Sequence, residues 1–246
     1  MKKEFDYKEL DIEGEQILDV IEGAKNFNAW MYSIVHPHLS GNILEVGSGT
    51  GNISDQVIKA GHRLCLSDIR ENYCVRLRQK FARNAAVTGV FNLDLVHDSF
   101  DEIYADHLER YDAVFALNVV EHIEDHVRAI ANCKKMLRKG GKLIILVPAY
   151  QWLYNSFDKE LYHYRRYSTS LLKEIFTKND LTIKKAFHFN CFGIPGWFVS
   201  GKLQQNKTIP KGQMQFFDKL VPAMKLLDLV TLRGIGLSVV VVGEKK

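Results

Sequence analysis

Between residues 42 and 147 five short, almost wholly apolar runs (42–46, 63–67, 90–93, 111–117 and 142–147) are separated by segments of helical period. Strands that are apolar on both faces need cover on both, so they belong inside a parallel sheet flanked by helices. The expected helices cover 53–60, 71–85 and 125–137, the last closed by Gly140-Gly141, and Pro148 stops the fifth strand. An earlier helix over 24–39, with Phe27, Trp30, Met31, Ile34 and Val35 at helical spacing, runs into His36-Pro37. Two later runs, 181–190 and 237–243, bring the strand count to seven. About 45 residues rich in Gly, Pro and large apolar side chains lie between them. The expected fold is α/β: a doubly wound, mostly parallel seven-stranded sheet with an apolar insertion, 192–232, before its last strand. Residues 1–40 form an arm and a helix, the arm (1 to about 22) polar and loose, and residues 41–246 form the main domain.

Composition narrows the partners. Hydrophobic residues at 46% and charged residues at 25% are ordinary for a globular chain. A net charge of +4 suits anionic substrates or surfaces but is too small to imply nucleic acid. Cys65, Cys74, Cys133 and Cys191 are scattered, which offers neither a disulfide framework nor a zinc knuckle and suits a reducing compartment. No run approaches the ~18 uninterrupted apolar residues of a membrane span, and the N-terminus lacks a signal-like core. The expectation is a cytoplasmic protein.

The first strand leads into Ile43-Leu-Glu-Val-Gly-Ser-Gly-Thr-Gly-Asn52. Glycines at 47, 49 and 51 permit a sharp turn and close approach to a ligand. A dinucleotide fingerprint would place its third glycine at 52, where Asn stands, and this disfavours a nicotinamide dehydrogenase. The Gly-x-Gly-x-Gly spacing with Glu45 two residues upstream suits a nucleoside bearing an amino acid, whose ammonium Glu45 can meet. Asp68, at the end of the second strand, is placed for a ribose diol. Asp94 can accept a bond from an exocyclic amine, with the Leu95 N–H facing a ring nitrogen. Either aspartate alone could be a cap or turn residue. Three acids at the ends of three successive strands, beside three glycines, make a ligand site the better reading.

In these features the chain, from about 40 to 190, resembles the class I S-adenosylmethionine-dependent methyltransferases. The resemblance implies a Rossmann-like fold, S-adenosylmethionine as cofactor and S-adenosylhomocysteine as product. Glu45, Gly47, Gly49, Gly51, Asp68, Asp94, Leu95 and Asn118 are then the expected cofactor residues. Within that family, Asn118-Val-Val-Glu-His122 is similar to a stretch in ubiquinone-pathway O-methyltransferases and small-RNA 3′-end 2′-O-methyltransferases. There a Glu-His pair works with a later histidine to hold a divalent cation, which implies Glu121, His122 and His163 here. Asn118 stands where the RNA enzymes carry a further carboxylate.

Three roles stay open for Glu121, His122 and His163: cation ligands, direct general base or acceptor positioning, and packing of a helix start. Arg165 and Arg166, set among Tyr162, Tyr164 and Tyr167, can clamp a phosphate, stack on a planar group or lie on the surface. Arg76, Arg78, Lys80 and Arg83 read as a solvated helix face. In the insertion, Trp197 and Phe198 lie between glycines. Phe217, Leu220, Val221, Met224 and Leu227 form a helical face interrupted by Pro222. That face is core, a lid over an apolar acceptor, or a contact with a membrane surface. The His163-Tyr-Arg-Arg-Tyr167 segment and the apolar tail resemble a broad bacterial group of methyltransferases. The expected reaction is O-methylation of a small, lipid-linked or glycan-like hydroxyl acceptor. N-methylation of a small molecule, RNA 2′-O-methylation and a non-catalytic adenosyl-ligand-binding role are the alternatives.

Overall fold

A computed structural model describes residues 20–204 and 211–246, so the expected arm falls almost wholly outside the described residues. The sheet is formed by β1 (Ile43–Val46), β2 (Leu64–Asp68), β3 (Val87–Asn92), β4 (Tyr111–Leu117), β5 (Leu137–Pro148), β6 (Leu181–Phe189) and β7 (Ser238–Lys245). Its order is β3-β2-β1-β4-β5-β7-β6. All neighbours pair in parallel except β7, which is antiparallel to both β5 and β6. This is the expected seven-stranded, mostly parallel, doubly wound sheet.

Helices cover both faces because side chains in the central strands alternate between two apolar clusters. Val114 and Ala116 of β4 and Leu143, Ile145 and Val147 of β5 pack toward α5 (His126–Met136) and α7 (Thr169–Lys178). Ala113, Phe115, Ile144 and Leu146 face the other way. They meet α1 (Lys25–Val35), α2 (Asn52–Lys59), α3 (Glu71–Lys80) and α9 (Lys211–Val230). Three shorter α-helices are α4 (Phe100–Ile103), α6 (Ser156–Glu160) and α8 (Gly193–Trp197), the last continuing into a π-helical turn, Phe198–Leu203. Chain order reverses between β1 and β4, and ligands of such sheets bind at the carboxyl ends beside that switch point.

Three boundaries depart from the sequence reading. Helix α3 stops at Lys80 rather than 85, because buried Phe81 leaves helical geometry and packs against the Gly51 turn. The Asn84 carboxamide then accepts a bond from the Ala86 N–H and β3 starts at Val87, so Arg83 is not on the helix. Strand β5 begins at Leu137, which pairs with Tyr111, while Lys142 pairs with Ala113. The glycines at 140 and 141 therefore form a bulge inside a strand and not a helix cap. A side chain at 141 would meet the carbonyls of Arg138 and Tyr111 at 2.9 and 3.0 Å.

The third departure is that α9 runs through Pro222 without a break. Proline removes the hydrogen bond to the carbonyl four residues back, that of Asp218. Asn26 Nδ2 donates to this carbonyl at 3.1 Å. The Asp218 carboxylate also accepts the Phe27 N–H at 2.8 Å, capping the first turn of α1, whose own N-cap residue, Ala24, supplies no side-chain bond. The two helices thus satisfy each other's orphaned backbone groups.

Candidate active site

At the switch point lies a cleft of about 980 Å³. One half is lined by Glu45, Gly47, Gly49, Asp68, Asp94, Leu95 and Asn118, so all these sequence-derived cofactor residues come to one place. Gly51 stands just behind them as the N-cap of α2, at φ +80, where a Cβ would lie 2.9 Å from the Phe81 ring. Gly47, at φ +72, has no room for a side chain beside Val119.

Asp68 does more than was legible. Its Oδ2 accepts the Gly49 N–H at 2.9 Å and its Oδ1 the Arg70 N–H at 3.0 Å, so it anchors the glycine turn and keeps lone pairs for a ribose diol. Burial raises its pKa. Glu45 is buried, takes a hydrogen bond from the Ser54 hydroxyl, and is pushed by burial up to about 8. Asp94 also serves as a turn residue, since its Oδ1 accepts the Val96 N–H at 2.8 Å. Leu95 is buried, and its carbonyl is held by Asn132 Nδ2. Asn118 is exposed on the cleft wall in left-handed backbone (φ 55), its N–H donating to Leu146.

Glu121 and His122 are sequence neighbours, and on a straight strand they would point to opposite faces. After β4 the chain instead coils into a 3-10 turn, Val120–His122, that brings both to the cleft. The segment carrying His163 is tied to this turn. The Tyr164 N–H donates to the Glu121 carbonyl, the Tyr167 hydroxyl to the Val120 carbonyl, and Arg165 Nη1 to the carbonyls of Ile123 and Glu124. The His122 and His163 rings meet edge to face with centroids 4.6 Å apart. One ligand atom from each of Glu121, His122 and His163 lies within 4.8 Å of the others.

The electrostatics of this cluster are unusual. Both Glu121 carboxylate oxygens are buried with no hydrogen-bond partner among the described residues, and burial pushes the group up to about 8. Burial, then the neighbouring His163, takes His122 down to about 3. An unpaired buried carboxylate is penalised by several kcal/mol unless a proton or a cation compensates it. A carboxylate with two imidazoles is a donor set that fits a divalent ion such as Mn²⁺, Fe²⁺, Co²⁺ or Zn²⁺.

Sequence reasoning missed Asp158. Fully buried on α6, it accepts bonds from His163 Nδ1 at 2.8 Å, from Arg166 Nε at 2.9 and 3.0 Å, and from the Asn155 N–H at 3.0 Å. Burial works to raise its pKa, yet the His163 bond and the Arg166 charge hold it below the ordinary carboxylate range. The capping-box pair Asn155-x-x-Asp158 was the available signal. Arg166, 3% exposed, is thus a buried ion-pair partner lying 4.7 Å over the Trp197 ring, and neither a phosphate clamp nor a surface residue. The far half of the cleft is apolar, lined by Phe157, Phe192, Trp197, Met214 and Phe217.

Residues 44–143 match the family model described as a methyltransferase domain. The chain is 27% identical over 117 residues to a highly reducing polyketide synthase 40 of Fusarium mangiferae, covering 48% of this chain and 5% of that protein. It is 27% identical over 101 residues to a ubiquinone biosynthesis O-methyltransferase of Actinobacillus pleuropneumoniae, covering 41% of this chain and 43% of that one. The chain therefore spans a small part of the first relative and under half of the second. Among solved structures it resembles a SAM-dependent methyltransferase from Archaeoglobus fulgidus at TM-score 0.58 and 15% identity, covering 89% and 94% of the two chains. Sheet order, glycine turn and strand-end acids define the S-adenosylmethionine-binding α/β class. The matched segment is a methyltransferase domain, and the fold is that of the class I S-adenosylmethionine-dependent methyltransferases.

Proposed function

We propose that this chain transfers a methyl group from S-adenosylmethionine to a hydroxyl oxygen of an acceptor with a large apolar portion, lipid-linked or glycan-like. The observation that carries this is the convergence of Glu121, His122 and His163 in the cleft that is also lined by the strand-end acids and by large apolar side chains. A neutral amine attacks a sulfonium methyl without prior loss of a proton, whereas a hydroxyl gains greatly from losing one. A buried acid and imidazole cluster is therefore more use to an oxygen acceptor.

Asp158 is held ionised and can only accept, so Nδ1 of His163 carries the hydrogen and Nε2 offers a lone pair. In the proposed reaction the acceptor oxygen attacks the methyl carbon as the carbon–sulfur bond breaks, its electrons passing to sulfur. The hydroxyl proton goes to Nε2 of His163. That is the route with no cation bound; were Glu121, His122 and His163 instead to hold a divalent cation, Nε2 of His163 would be a ligand and not the base, and the cation would supply Lewis acidity that eases loss of the hydroxyl proton to water. Aromatic walls orient the apolar part of the acceptor and exclude water. The Trp197 indole N–H, buried without a partner among the described residues, is available to an acceptor oxygen. The likeness to ubiquinone biosynthesis O-methyltransferases supports the oxygen reading.

The test is transfer of labelled methyl from S-adenosylmethionine to prenylated phenols, lipid-linked sugars and matched amines. Labelling of the hydroxyl compounds, lost with His163→Ala, is expected. Labelling of amines alone would overturn the oxygen assignment.

A further inference from the structure

We propose that the outer face of α9 and the turn after it dock on an anionic phospholipid surface. The inference concerns where the protein sits and holds whatever the acceptor is. Helix α9 buries Met214, Val221 and Met224 against the rest of the molecule. Phe216, Leu226, Leu229 and Val230 are 65, 63, 59 and 71% exposed. An outer helix face this apolar is normally enclosed, so a cover is missing from this side.

The turn that follows is not a frayed end. Leu232 and Arg233 both have left-handed backbone (φ 50 and 54), which neither side chain favours. They are held there by bonds from the Leu232 N–H to Leu229, from the Arg233 N–H to Asp228, and from the His188 N–H to Arg233. Beneath them the buried Asp228 carboxylate accepts the N–H groups of Asn190 and Cys191 at 2.7 and 2.8 Å. The result is an apolar tip, Leu232, 89% exposed on a braced support, with Ile235 54% exposed nearby in sequence.

Charge selects the occupant. Between 192 and 237 the sequence has six basic residues (Lys202, Lys207, Lys211, Lys219, Lys225 and Arg233) and two acids, Asp218 and Asp228. Both acids are engaged in backbone capping. An apolar strip on a helix that also carries Lys219 and Lys225 matches lipid tails beneath anionic headgroups. A second copy would bring like charge against like charge, which disfavours self-association. Asn190, Phe192 and Leu237, next to the turn's supports, line the cleft, so the docked face adjoins the site.

Flotation of the whole chain with phosphatidylcholine vesicles, with and without phosphatidylglycerol, tests this, with molecular mass by light scattering measured alongside. Binding that requires phosphatidylglycerol is expected. Lys219→Ala with Lys225→Ala should weaken it roughly 25-fold, about fivefold per charge. Leu229→Gln with Leu232→Gln should weaken it about tenfold or more while leaving the melting temperature and S-adenosylhomocysteine affinity unchanged. Absence of binding, or binding indifferent to both pairs, overturns the proposal. So does a dimer that the leucine pair converts to a monomer without any change in lipid binding.

Discussion

Oδ1 of Asp158 lies 2.8 Å from Nδ1 of His163, and the same carboxylate is gripped by Arg166 Nε. The bond fixes both the tautomer and the ring plane of His163, and partners of this kind are worth roughly 10–100-fold in activity. Asp158→Asn leaves the Arg166 guanidinium buried and unpaired, so stability should fall by about 3–5 kcal/mol. Adding Arg166→Met removes the stranded charge and should restore much of that stability in urea denaturation. It should not restore the turnover of the folded protein, because a neutral carboxamide, able to donate to Nδ1 as well as accept from it, no longer fixes the His163 tautomer. Recovery of both together would make Asp158 a purely structural residue.

That the glycine turn and the strand-end acids share one cleft was legible because each is set locally. A glycine turn and acids at strand ends are set by the chain within a few residues of themselves, and sheet topology does the rest. The Glu121–His122 pair was legible for the same reason, since a strand ending in a turn is the one local device that lets neighbours converge. Asp158 was not, because an acid at the start of a short helix reads as a cap. What else it faces is decided by residues 163 and 166, returning from a loop. The arginines misled for the converse reason: the sequence shows their aromatic neighbours but not that Arg166 is buried. Exposure of Leu226, Leu229 and Val230 was equally hidden, since a helical stripe looks alike whether it packs inward or outward.

Asp68 anchors the glycine turn and is expected to meet the cofactor ribose, so its removal should have two separable effects. Asp68→Ala should weaken S-adenosylhomocysteine binding by about 1.5–3 kcal/mol. It should also destabilise the ligand-free protein, because the Gly49 and Arg70 N–H groups lose their acceptor. Asp68→Asn keeps one carbonyl acceptor and should fall between. Calorimetry with S-adenosylhomocysteine and melting without it measure the two effects apart. Weaker binding at unchanged ligand-free stability would show that the turn does not depend on Asp68.

Glu45 and Glu121 are both buried acids pushed up to about 8. In the unfolded chain such groups titrate near ~4.3, so between roughly pH 4.3 and 8 the folded state holds more protons than the unfolded state. Their contribution is fully present below the unfolded value and is lost as pH rises through the folded one. Stability of the ligand-free, metal-free protein should therefore decline from about pH 5 to 8.5, by on the order of a few kcal/mol. Glu45→Gln and Glu121→Gln should each flatten the decline, measured as urea midpoints across that range. A wild-type profile that rises with pH would mean both carboxylates are ionised in the folded protein.

The unpartnered Glu121 carboxylate also gives the sharpest discrimination between the roles of its cluster. If Glu121, His122 and His163 hold a divalent cation, excess EDTA should suppress methyl transfer, and added Mn²⁺ or Mg²⁺ should restore it. His163→Ala should lower both metal content and turnover. S-adenosylhomocysteine affinity should stay nearly intact, because Glu45, Asp68 and Asp94 lie on other strand ends. Bound cation should also favour the ionised form of Glu121 and thereby remove its share of the decline in stability with pH. Metal analysis, turnover in chelator and the pH series with and without Mn²⁺ are three readouts of one site, and only the second needs an acceptor. Undiminished turnover in excess chelator, with no metal bound, would leave His163 as a direct base held by Asp158.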